Sequence, residues 1–101
     1  MGNSAIDFPW EKRCVSGDTI VETGPCVFHS LIFNGMTTAG VVNIYDNVDN
    51  SGGLIASLIL DSAAPQTSVQ PINFDFDCEM ETGIYIDFTA GFVGNFTALW
   101  K

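Results

Sequence analysis

Clusters of Gly, Pro, Asn, Asp and Ser interrupt this chain roughly every ten residues, and the segments between them are rich in Val, Ile, Phe and Thr. No segment sustains a 3.6-residue hydrophobic period over about eleven positions, so little helix is expected. The breaks fall at Asn34-Gly35 through Gly40, Asp46 through Gly53, Ser62 through Gln66, Thr82-Gly83 and Ala90 through Gly94. They predict strands at 14–22, 25–34, 41–46, 54–61, 70–81, 83–89 and 95–100. About seven strands suit an all-β fold: a single-domain antiparallel β-sandwich, jelly-roll-like, over residues 14–101. Residues 1–13 lack alternation and read as an N-terminal arm.

The clearest strand runs from Pro71 to Glu81. Ile72, Phe74, Phe76, Cys78 and Met80 alternate with Asn73, Asp75, Asp77, Glu79 and Glu81, so one face is expected inside and the other wet. Two other strands behave differently. Val27, Phe28, Leu31, Ile32 and Phe33 occupy both parities, as do Leu54, Ile55, Leu58, Ile59 and Leu60. A two-layer sandwich of 101 residues covers one face of each sheet, so the second face of these strands calls for the arm, a loop or another chain. A homo-oligomer is expected on that ground. Twist and curl within one chain are the competing account.

Composition narrows the partners. Three Lys and Arg stand against twelve Asp and Glu, for a net charge of −9 and a pI near 4.1. Nucleic-acid binding draws its affinity from neutralising phosphates, so no nucleic acid is expected. The start MGNSAIDFPWEKRC lacks the basic opening and apolar run of a secretory signal, and no stretch approaches a membrane span. The protein is therefore expected to be made in the cytoplasm, with no membrane partner. Cys14, Cys26 and Cys78 are odd in number and form no CxxC, which predicts buried free thiols rather than a zinc site or disulfide framework.

A search for catalysis finds little to build on. A hydrolase or transferase needs a nucleophile beside a base, and the single histidine, His29, lies within an apolar strand. Cys26 and His29 differ by an odd number and should point to opposite faces, so His29 reads as a half-buried, hydrogen-bonded structural residue. Asp75, Asp77, Glu79 and Glu81 share a face at about 7 Å spacing, a separation that also occurs in glycosidases. Without a sugar cleft they read as a solvated acidic face that deters edge pairing. The loop Asp46-Asn47-Val48-Asp49-Asn50-Ser51-Gly52-Gly53 carries Asp46, Asp49 and Asn50 as a weak cation candidate, yet its twelfth position is Ser57 rather than a carboxylate. Asx and Gly also suit a tight strand connection, so a turn is the preferred reading. Asn95-Phe96-Thr97 fits a glycosylation sequon but lacks the secretion signal that would give it weight. The chain is expected to be no enzyme and to need no cofactor.

The arm holds Phe8-Pro9-Trp10, two large apolar side chains in a segment without period. They are expected to anchor on the chain's own domain or on a neighbour. Trp100 is expected in the core.

From Gly24 to Trp100 the chain resembles small bacteriophage virion accessory proteins of the head-decoration or cement type. The likeness lies in an ordered series: Val27-Phe28-His29-Ser30-Leu31-Ile32-Phe33-Asn34-Gly35, then Ala39-Gly40-Val41-Val42-Asn43-Ile44-Tyr45-Asp46-Asn47 and an Asn/Ser/Gly loop. Gly53-Leu54-Ile55-Ala56-Ser57-Leu58, Thr82-Gly83-Ile84-Tyr85-Ile86-Asp87-Phe88 and Asn95-Phe96-Thr97-Ala98-Leu99-Trp100 follow. The resemblance implies a capsid decoration protein on the virion surface that binds the major capsid protein and stabilises the head, often as a trimer. With it, Phe8, Trp10, Val27, Leu31 and Phe33 become the expected capsid or subunit contacts. Two other readings are a tail-associated accessory protein and a carbohydrate- or receptor-binding sandwich that uses Tyr45 and the loop after it.

Overall fold

The computed structural model describes residues 10–60 and 72–101, and these form eight strands and no helix. The strands are β1 (Glu11–Val15), β2 (Thr19–Thr23), β3 (Cys26–Thr38), β4 (Gly40–Tyr45), β5 (Leu54–Leu60), β6 (Ile72–Met80), β7 (Gly83–Thr89) and β8 (Val93–Trp100). The single strand expected over 14–22 is two, because Ser16, Gly17 and Asp18 bend the chain between β1 and β2. Thr19 Oγ1 donates to Gly17 O at 2.9 Å, and Asp18 Oδ1 accepts the Phe88 amide at 2.8 Å, so hydrogen bonds fix the bend. The expected arm is shorter than 13 residues, since Glu11, Lys12 and Arg13 pair with Trp100, Leu99 and Ala98.

The strands make two antiparallel sheets, in the orders β1-β8-β3-β6 and β2-β7-β4-β5. Within them β1 pairs β8, β2 pairs β7, β3 pairs β6 and β4 pairs β5. This nesting is one long hairpin with its tip at Asp46–Gly53, rolled so that successive strand pairs, β1–β8, β2–β7, β3–β6 and β4–β5, alternate between layers. It is jelly-roll connectivity. Phe28, Leu31, Val42, Ile44, Ile84, Ile86, Phe96 and Ala98 are wholly buried between the layers, and Trp100 joins them as expected. Phe33, Phe88, Phe92 and Phe96 cluster at one end with ring centroids 5.2–5.9 Å apart.

β6 keeps its period of two, with Asn73, Asp75, Asp77 and Glu79 exposed and Met80 buried. β3 does not. Cys26 and Phe28 are buried on one parity, then Leu31 and Phe33 on the other. The change falls where pairing shifts register: from Phe28 to Ser30, β8 moves one residue, Trp100 to Leu99, and β6 moves three, Cys78 to Asp75. Asp77 sits in the longer span on β6 with φ of 47°, a left-handed conformation that Asp tolerates better than most residues. Apolar residues on both parities of β3 therefore mark an inward-facing set that switches parity at a register shift, rather than two faces needing cover. Leu31 and Phe33, expected as outward contacts, belong to the core of their own chain.

Candidate functional site

Three features of the surface bear on function. The first lies on the outer face of the β1-β8-β3-β6 sheet. His29, on β3 at the register shift, donates from Nδ1 to Asp77 Oδ1 on β6. Trp10 stacks on the imidazole with centroids 4.3 Å apart and planes 10° from parallel, and Lys101 Nζ lies 5.7 Å from the Trp10 ring centre. Trp10 thus packs on its own domain, with a third of its surface still open. Val27 is half-buried beside this patch, and its backbone exchanges two 3.0 Å hydrogen bonds with Lys101. Phe8 lies outside the described residues. Cys26 faces the core while His29 faces outward, so no Cys-His couple forms.

The second feature is the hairpin tip. Asp46 closes it from both sides: its backbone N–H donates to Gly53 O at 2.7 Å, and its carboxylate accepts the amides of Glu81, Thr82 and Gly83 at 2.8–3.3 Å. Burial pushes the Asp46 carboxyl up, but the three amide hydrogen bonds together outweigh it and hold the group below the ordinary carboxylate range. Gly53 and Gly83 permit the approach. Both have positive φ, and a Cβ would stand 2.6 Å from Asp46 O at the first and 2.5 Å from Glu22 O at the second.

The candidate cation ligands of this loop are not brought together. Asp46 faces the β6–β7 turn, Asp49 Oδ1 accepts from the Ser51 amide and hydroxyl, and Asn50 Nδ2 donates to Asp87 Oδ2 at 3.4 Å. Among the described residues no three His, Cys, Asp or Glu side chains converge as a metal cage.

The third feature is the outer face of the β2-β7-β4-β5 sheet. Register places Ile20 beside Tyr85, Tyr85 beside Tyr45 and Tyr45 beside Leu54, a row of large apolar side chains across all four strands. The tyrosine rings are 6.3 Å apart and tilted by 46°. Burial, then the carboxylates of Asp18, Asp87 and Asp49 and the Tyr45 hydroxyl, push the Tyr85 hydroxyl up from its ordinary value. The row ends at β5, where Leu54 is 55% exposed, Ile55 39% and Ile59 74%. Here the expectation of uncovered apolar surface holds, because Ile55 is the extra residue opposite Ile44 and Tyr45, and Ile59 points away from the core.

Sequence reasoning missed Asp77 as the partner of His29, and Tyr85 as the neighbour of Tyr45. Both pairings span two strands distant in sequence, and the first depends on a register shift that no single strand announces. The thiols also divide. Cys26 is buried and Cys78 half-buried, and burial raises both above the ordinary thiol value, with nearby carboxylates adding to it, whereas Cys14 is exposed on edge strand β1. A cleft of about 370 Å³ at the far end of the sandwich is lined by Ser16, Met36, Thr37, Val93 and Asn95 with two glycines, and no titratable side chain among the described residues lines it. Compared with known proteins, the chain matches no family model, no curated protein and no solved structure.

Proposed function

We propose that the chain is a non-enzymatic structural protein of a bacteriophage virion, a capsid decoration (cement) protein that binds the major capsid protein on the outer shell and stabilises the head. The observation that carries this reading is the difference between the two outer faces. One bears the exposed acids Asp75, Asp77 and Glu79 of β6. The other bears the row Ile20, Tyr85, Tyr45 and Leu54, with Ile59 beyond it. A domain lying on a protein shell needs such a division, an apolar side for contact and a charged side toward water. Weak contacts suffice, since a shell repeats each one many times and neighbouring sites act together. Jelly-roll connectivity adds an argument by analogy, because that architecture recurs in viral capsid and lectin domains.

The test is quantitative mass spectrometry of purified particles released from cells carrying the gene. A decoration protein is expected at a copy number within a few-fold of the major capsid protein. A few copies per particle would place the protein in a tail, and its absence from particles would overturn the virion reading altogether.

A second reading, a carbohydrate- or receptor-binding module, is favoured by one specific arrangement: Tyr45 and Tyr85 side by side, with Asn50 and Asp87 hydrogen-bonded at their margin. Aromatic faces beside amide and carboxylate groups suit the apolar faces and hydroxyls of a sugar.

A further inference from the structure

Four strands form the edges of the two sheets, and three of them carry charge. β1 holds Glu11, Lys12 and Arg13 in five residues, β2 holds Glu22 in five, and β6 sets Asp75, Asp77 and Glu79 along its exposed side. Short length and charge are the usual means by which an edge avoids pairing with another chain. β5 has neither. Its seven residues, Leu54-Ile-Ala-Ser-Leu-Ile-Leu60, include no charge, no proline and no glycine, and among the described residues the strand pairs only with β4. Such a segment is a template for strand addition.

We infer that β5 is an interaction surface for a second copy of this chain, the two β5 strands pairing antiparallel about a two-fold axis through Ser57. Two arguments choose the occupant. The chain carries a net charge of −9, so copies repel one another in general, and among the described residues β5 is the one edge strand with no charged side chain, so self-pairing there meets no like charge in any register. The strand is also self-complementary. In the register centred on Ser57, Ile59 lies beside the partner's Ile55 on the outer face, and Leu58 beside the partner's Ala56 on the inner face. Ile59, 74% exposed in the single chain, thereby gains an apolar neighbour. The β2-β7-β4-β5 sheet continues through the partner in reverse order, and the row ending at Leu54 is doubled. The product is a two-fold pair, not the trimer that the virion resemblance implies, and it does not depend on a virion location.

The experiment is sedimentation velocity of the full chain over a concentration series, with Ser57→Lys and Ser57→Glu variants. Residue 57 is exposed, and circular dichroism checks that each variant keeps the strand spectrum. The wild type is expected to form a dimer on the order of tens of micromolar, and each variant, placing two like charges across the axis, to weaken it at least about tenfold. An equimolar mixture of the two variants is expected to restore the dimer by setting a lysine against a glutamate. A wild type that stays monomeric, a trimer, a dimer indifferent to both variants, or a mixture that does not recover would each overturn the inference.

Discussion

At the residue scale, Asp46 shows how one side chain can hold a hairpin tip to a distant turn. Its two oxygens serve three amides, of Glu81, Thr82 and Gly83, so an amide side chain with one acceptor oxygen replaces only part of the arrangement. Asp46→Ala is expected to destabilise the fold by about 1–2 kcal/mol, toward the low end because water reaches the freed amides, with Asp46→Asn falling between. The folded carboxyl sits below its ordinary value, so its contribution is complete above the ordinary carboxylate range and is lost as pH falls through the folded value. Urea midpoints should therefore separate wild type from Asp46→Ala at neutral pH and bring them together in strong acid. A gap that persists unchanged in acid would mean that the carboxylate's charge is not what the amides recognise.

At the scale of elements, β3 determines which side chains reach the core, and it does so by a change of parity that neighbouring positions can report. Leu31 is fully buried and Ile32 only partly, although both are branched aliphatic residues in one strand. Leu31→Ala should cost about 2–5 kcal/mol in chemical denaturation and Ile32→Ala less than about 1, the reverse of what counting by twos from Phe28 requires. That strand also marks the limit of what the sequence discloses. β6 was legible because its alternation runs unbroken from Ile72 to Met80 and its acids faced water as expected. In β3 apolar residues on both parities read as two faces needing cover, with Leu31 and Phe33 among the expected contacts, since the shift at His29 is set jointly by β6 and β8, which each advance by a different number of residues there. The bend at Ser16-Gly17-Asp18 went unread because Val15, Ile20 and Val21 kept the strand character on both sides of it. Of the candidate contacts, the exposed apolar surface at 54–60 is visible in the apolar residues on both parities of that strand, whereas the tyrosine pair requires knowledge that β4 and β7 are neighbours.

At the scale of the whole molecule, nested pairing makes the first strand the partner of the last, so the outermost pair joins residues nearly the length of the chain apart. Closing such loops precedes the contacts that reward it, and folding is expected to be slow, on the order of milliseconds to seconds by stopped-flow fluorescence of the tryptophans. Microsecond folding would imply that the β4–β5 hairpin alone limits the rate. The β1–β8 pairing has a mechanical consequence as well. Glu11 stands opposite Trp100, so the two ends of the paired strands leave the sandwich side by side. A load applied between Trp10 and Lys101 pulls across the ladder and opens its hydrogen bonds one after another, as a zip opens, instead of shearing them all at once. Tension carried through the termini would peel this domain at low force, while tension carried along the strands would meet the whole ladder together.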